Sequence, residues 1–226
     1  MKYIIFLLLS SFLFAGPPML SQDPFVPALN QFEINVAAAI EETDATTESV
    51  YIIDVNYGLL NNVQLTIEGA YVDAETQDDF DAMELALKWN FYQNDFFAIA
   101  VNPRYLSYPI RSVFDEGEVF ELSLPMSFAL NDALNWVVDI LYVKPKDGSE
   151  HMELGTYLQY TQTNHNYYLE LYMEESEADD EIYSLLNLGY LYQFHNNIAF
   201  MISIGREMHA EDQKSTIAYS GLQFVF

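Results

Sequence analysis

Residues 31–41 read QFEINVAAAIE, and the apolar side chains fall on every second position. Phe32, Ile34, Val36, Ala38 and Ile40 share one side, while Gln31, Glu33, Asn35 and Glu41 share the other. A period of two predicts a β-strand with one oily and one polar face. The alternation returns eleven more times. Met83, Leu85, Leu87, Trp89 and Phe91 oppose Glu84, Lys88 and Asn90; Phe97, Ile99, Val101 and Tyr105 oppose Asn102 and Arg104; Leu186, Leu188, Tyr190 and Tyr192 oppose Asn187, Gly189 and Gln193. The last repeat sets Ala218, Leu222, Phe224 and Phe226 against Tyr219, Gly221 and Gln223. Twelve strands are therefore expected.

The connectors alternate as well. Asn61-Asn62, Asn94-Asp95, Asn131-Asp132, Asn164-His165-Asn166 and Asn196-Asn197 are short, and they recur after 33, 37, 33 and 32 residues. Asn and Asp tolerate the left-handed backbone that tight hairpins use. The intervening connectors, such as residues 42–48, 73–79 and 174–181, are longer and acidic. Short turns at one rim, long polar loops at the other and an even strand count predict an all-β fold: a transmembrane, antiparallel, up-and-down β-barrel. Both chain ends then fall at the short-turn, periplasmic rim. Closure is required, because an open sheet edge cannot be satisfied in lipid.

Aromatic placement separates this barrel from a soluble β-sandwich, which needs the same turns but no girdles. Tyr57, Trp89, Phe91, Phe97, Phe128, Trp136, Tyr160, Tyr167, Tyr192, Phe200 and Phe224 lie on the apolar face near a short turn or the C-terminus. Tyr51, Tyr71, Tyr105, Phe120 and Tyr142 lie toward the opposite strand ends, and aliphatic residues fill the middle. Two belts of amphipathic rings match two membrane–water interfaces.

Residues 1–15 read as a signal peptide rather than an anchoring helix. Lys2 gives the basic start, Ile4, Leu9, Phe12 and Phe14 mark the apolar stretch, and Leu13-Phe14-Ala15 suits cleavage. Residues 16–30, rich in Pro and without alternation, would form a periplasmic segment or a plug, and residues 31–226 the barrel. The net charge of −26 argues against nucleic acid as a partner, whereas 17 Tyr and 16 Phe argue against an acidic disordered chain. With no cysteine, disulfides and lipoprotein acylation are both excluded. Every strand has a lipid-like outer face, which favours a monomer in contact with outer-membrane lipids and lipopolysaccharide.

Two resemblances add to this. Tyr219-Ser220-Gly221-Leu222-Gln223-Phe224-Val225-Phe226 resembles the terminal-strand signal read by the outer-membrane barrel assembly machinery, with Tyr219, Gly221, Phe224 and Phe226 as its marked positions. Gly16-Pro17-Pro18-Met19-Leu20-Ser21-Gln22-Asp23-Pro24, Gln31-Phe32-Glu33-Ile34-Asn35 and Asn56-Tyr57-Gly58-Leu59-Leu60-Asn61-Asn62-Val63-Gln64-Leu65 resemble a family of outer-membrane β-barrel transporters labelled MetA-pathway of phenol degradation. Gln22 stands where that family usually has Asp. The resemblance implies an outer-membrane barrel for small-molecule uptake and brings no catalytic residues.

Twelve strands about 4.8 Å apart and tilted by about 40° give a backbone diameter of roughly 24 Å, with a lumen on the order of 10 Å if nothing plugs it. The inward charges expected to line it are Asp54, Glu68, Glu84, Lys88, Arg104, Glu121, Asp139, Glu153 and Glu170. Counting from the turns groups Glu84, Arg104 and Glu121, and separately Asp54, Glu68 and Lys88. Asp139, Glu153 and Glu170 lack an inward cation nearby; hydrated, they would favour cations, and in a dry, plugged barrel they would only fill space. The acidic loops would be solvated or would gather divalent cations. Neither a metal-ligand spacing nor a cofactor fingerprint occurs. Ser203 has no level His, while His165 and His195 sit in short turns and His151 and His209 border outer loops, which leaves no activated nucleophile. The sequence thus points to a narrow channel or transporter for small solutes, cation-preferring or apolar. The alternative is a structural or surface-interaction barrel with a plugged lumen, and a lipid-modifying enzyme ranks last.

Overall fold

All twelve alternating segments become strands in the computed structural model, which describes residues 18–42, 47–74, 80–107, 118–146, 150–175, 182–208 and 215–226. The strands are β1 (Phe32–Glu42), β2 (Thr47–Leu60), β3 (Val63–Ala74), β4 (Phe80–Gln93), β5 (Phe97–Ser107), β6 (Glu118–Asn131), β7 (Leu134–Pro145), β8 (His151–Gln162), β9 (His165–Glu175), β10 (Ile182–His195), β11 (Ile198–Glu207) and β12 (Thr216–Val225). Each pairs antiparallel with its sequence neighbours, and β12 returns to β1 to close the barrel. Ile34 stands opposite Phe224 and Val36 opposite Leu222, so the oily faces stay in phase across the seam. Phe32 and Phe226 exchange backbone hydrogen bonds of 3.0 and 2.8 Å at the rim. Residues 1–15, expected to be a signal peptide, and most of each acidic loop lie outside the described residues.

The outer wall is apolar and uncovered. Ile53, Ile67, Leu85, Leu188 and Ile204 are each about half exposed, as suits side chains that meet hydrocarbon. Aromatic rings link along the short-turn rim: Phe97 meets Phe128 at 5.1 Å, Phe128 meets Trp136 at 5.2 Å and Tyr167 meets Tyr190 at 5.4 Å, all tilted, while His165 stacks on Tyr192 at 4.9 Å. Ile67 lies between this belt and Tyr71 on the same strand. Ile67→Arg is expected to cost about 2–4 kcal/mol of folding free energy in lipid vesicles, measured by urea titration. A cost below about 0.5 kcal/mol would mean that this face does not meet the bilayer core.

The turns work differently from the sequence expectation. Among the described residues, only Asn30 and Thr163 combine a side chain with positive φ. In the β8–β9 turn Thr163 takes the left-handed backbone, whereas at two other turns an asparagine acts through its side chain instead. Asn94 Oδ1 accepts the backbone N–H groups of Phe96 and Phe97 at 2.8 and 2.9 Å, and Asn131 Oδ1 those of Ala133 and Leu134 at 2.9 and 3.0 Å. A side chain that mimics a turn carbonyl removes the need for a left-handed residue. Register shifts at Gly58/Leu60, Asn90/Tyr92, Ala129/Asn131 and Gln193/His195 all adjoin short turns.

Candidate functional site: the lumen and its N-terminal segment

The described residues before β1, from Pro18 onward, run inside the barrel. Ser21 and Asp23 are buried, and three wall carboxylate or amide groups hold the backbone around them. Glu170 on β9 accepts the N–H of Leu20 at 3.2 Å, the N–H of Ser21 at 2.8 Å and the Ser21 hydroxyl at 2.5 Å. Asp139 on β7 accepts the Gln22 N–H at 2.9 Å through one oxygen and the Ser123 hydroxyl at 2.6 Å through the other. Asn90 Nδ2 on β4 donates to the Pro24 carbonyl at 2.9 Å. Lys88, 2% exposed, stands 3.9 Å from Asp23.

Small wall residues make room for this segment. A Cβ on Gly155 would overlap Ser21 Oγ and come within 2.8 Å of Ser21 Cβ. One on Gly58 would lie 2.7 Å from the backbone carbon of Ala28. At the exit to β1, Asn30 N–H donates to the Gly58 carbonyl at 2.8 Å and Gly58 N–H to the Gln31 carbonyl at 2.9 Å. These short approaches fix where the segment leaves the lumen and joins β1.

The charged positions separate into groups. Arg104 stands directly opposite Glu121, to which it makes a close ion pair, and 3.6 Å from Glu84. All three are mostly buried, so each charge depends on the others. Lys88 does not join Asp54 and Glu68. It stands opposite Gln64, whereas Glu68 stands opposite Glu84, four residues earlier on β4. The inward segment brings Asp23 to Lys88 in their place. Asp54 and Glu68 face each other across β2 and β3. Glu153 bonds Tyr172 and lies 3.1 Å from His151 Nε2, which is 3.8 Å from Glu174. This His–Glu–Glu group has ligand atoms within 4.8 Å of one another, a donor set suited to a divalent transition metal. Here it is internally hydrogen-bonded.

The lumen is not a wholly polar wall. Val137, Tyr157, Tyr168, Leu191, Ala199 and Met201 form a buried apolar cluster inside the barrel, with Met19 packed against it. Tyr157 and Tyr168 meet edge-on, centroids 5.9 Å apart. A cavity of about 300 Å³ lies between the N-terminal segment and the wall of β1–β3 and β10–β12. Sequence reasoning did not single out Ser21, Asp23, Asn35 or Asn187 as site residues. The signal for the first two was the polar run Ser21-Gln22-Asp23 in an otherwise apolar, Pro-rich stretch; inward Asn residues carry no such mark.

Glu170 makes the largest set of bonds to the segment, and Asn187 Nδ2 adds one to it at 3.0 Å. Glu170→Gln would turn one acceptor oxygen into a donor facing other donors. Loss of two bonds at about 1–3 kcal/mol each is expected to speed hydrogen exchange at the Ser21 amide by roughly 1.5 to 4 orders of magnitude, with barrel amides unchanged. Equal protection in the variant would mean that Glu170 does not hold the segment.

No family model and no curated protein matches the chain. Solved structures do. The KdgM porin superposes with a TM-score of 0.64 at 13% identity, over 85% of this chain and 99% of that one. An outer-membrane channel from Pseudomonas putida F1 superposes with a TM-score of 0.67 at 11% identity, over 93% and 99%. The CymD monoaromatic hydrocarbon channel gives 0.53 at 8% identity, over 87% and 88%. At these identities the likeness is one of fold: the closed barrel of bacterial outer-membrane channels.

Proposed function

We propose that this protein is a narrow outer-membrane channel or transporter for small solutes, its bore set by the N-terminal segment. The observation that carries the reading is a cavity of about 300 Å³ left beside a segment seated inside a closed, lipid-facing barrel. A space of that size admits a small molecule and excludes a polymer coil or a folded protein. The fold is shared with proteins described as porins and channels, among them one for monoaromatic hydrocarbons, which supports transport over catalysis. The uptake role implied by the MetA-pathway resemblance agrees with it. Asp54, Glu68, Glu84, Lys88, Arg104, Glu121, Asp139, Glu153 and Glu170 serve as its lumen charges. Of these, Asp139, Glu170 and Lys88 anchor the segment, so the negative surface left for solute is that around Asp54 and Glu68. Tyr219, Gly221, Phe224 and Phe226 serve as the signal for the assembly machinery.

The seated segment also favours a second reading, a plugged structural barrel. Planar-bilayer recording with liposome solute flux separates the two. A channel gives small, cation-selective conductance and flux of compact solutes but not oligosaccharides. Neither conductance nor flux from refolded protein would leave the plugged barrel.

A further inference from the structure

We infer that the cavity beside the N-terminal segment is a binding site for a small organic ammonium ion, one cationic amine on a compact apolar body. This rests on the channel reading for the route by which the ligand arrives, while the site itself is argued from its lining.

Three acceptors stand on consecutive rungs of the wall. Asn35 on β1 is directly opposite Asp54 on β2, which is directly opposite Glu68 on β3. Glu68 in turn faces Glu84 on β4, so three carboxylates stand in a row, an arrangement that like charges disfavour. Arg104 pairs directly with the Glu84 end and acts on Glu68 only from further away. Lys88 is held by Asp23. Among the described residues no Lys or Arg is within ion-pair distance of Asp54 or Glu68. Asp54 accepts from Asn56 Nδ2 at 2.6 Å and also hydrogen-bonds Asn35; Lys88 acts on it only from beyond ion-pair distance, so the row has no directly paired cation at this end.

A second observation points the same way. Asn35 and Asn187 line this cavity, each 5% exposed, and the Oδ1 atom of each has no hydrogen-bond partner. Their amide nitrogens are already committed, Asn35 Nδ2 to Glu33 at 3.3 Å and Asn187 Nδ2 to Glu170 at 3.0 Å. On these two amides only the acceptors remain, and a buried acceptor without a donor is costly; the hydroxyls of Ser203 and Tyr219 also line the cavity. The missing ligand must bring N–H donors and positive charge. An ammonium group has three donors and no acceptor, a match to Asn35, Asp54 and Glu68 in their row.

The rest of the lining selects the body of the ligand. Ala37, Ala39, Ile52, Leu185 and Ile217 are apolar, which suits a hydrocarbon group. A hydrated divalent ion would instead want oxygen on most sides. The volume of about 300 Å³ is at the low end for small-ligand sites, about 300–1,000 Å³.

The test is calorimetric titration of the refolded full chain with 2-phenylethylammonium, against 2-phenylethanol and phenylacetate as neutral and anionic comparators. Saturable binding of the ammonium compound is expected, at least about tenfold tighter than either comparator. Asp54→Asn combined with Glu68→Gln should weaken it at least about tenfold. Ala39→Phe, which fills the cavity and leaves every charge in place, should abolish it. Equal affinity for the alcohol, undiminished binding by the carboxamide variant, or displacement by an equimolar calcium salt would each overturn the site. Liposome flux keeps the two claims apart. Ammonium binding without flux of any solute leaves the site and removes the channel, whereas flux without saturable ammonium binding does the reverse.

Discussion

Replacing Gly155 with Leu is expected to expel the N-terminal segment from the lumen and raise single-channel conductance several-fold. Gly155 is an ordinary strand residue opposite Asp139 and Tyr172, so the wall accepts a side chain there with a small shift of Tyr172. Ser21 cannot stay, because the new Cβ would occupy the place of its side chain. Two bonds from Ser21 to Glu170 are then lost. Hydrogen bonds to a charged group contribute about 1.5–3 kcal/mol each, giving about 3–6 kcal/mol of lost anchoring. With the segment out, the bore approaches the diameter on the order of 10 Å set by strand number and tilt. Conductance and added-protease cleavage before β1 should rise together, while heat-modifiable gel mobility reports an intact barrel. A variant that folds, exposes the Ser21 amide to exchange and still conducts as the parent does would show that the segment does not set the bore.

The largest loss of stability is expected from Arg104→Met. Arg104 is the cation shared by Glu84 and Glu121, and the three side chains are 14%, 12% and 13% exposed. Removing the cation leaves two mostly buried carboxylates uncompensated, with Glu68 opposite Glu84 as a further like charge. Breaking a buried pair in this way costs about 3–5 kcal/mol, to be read from urea unfolding in lipid vesicles. Adding Glu84→Gln and Glu121→Gln to the Met variant should restore most of it, since the neutral side chains need no counter-charge. That rescue distinguishes charge compensation from mere loss of packing. A cost under about 1 kcal/mol would place the trio in water, where ion pairs contribute little.

Much of the architecture was legible because its cause is local. Lipid outside and a closed interior force every strand to alternate, so residues 31–41 already announce which side of β1 faces outward. The seam between β1 and β12 follows from strand count, given that no edge can stay open in a bilayer. The trio of Glu84, Arg104 and Glu121 was also within reach, because neighbouring strands have a register that can be counted from the turns. The same counting failed for Lys88. A tilted barrel offsets neighbouring strands, and register shifts such as that between Asn90 and Tyr92 add to the offset, so equal distance from a turn is not equal height.

What decides the interior lies beyond any such count. Pro18 to Gln31 carries no alternation, and its place depends on partners more than a hundred residues away: Glu170 for Ser21 and Asp139 for Gln22. Those carboxylates have no local mark that tells an anchor from a pore-lining charge, and only the folded chain shows which hydrogen bonds each one receives. The sequence by itself determined the wall, since two immiscible environments act on adjacent residues and write their pattern at period two. Tertiary structure alone decided the contents of the lumen, since filling an enclosed space depends on volumes and donors drawn from the whole barrel at once.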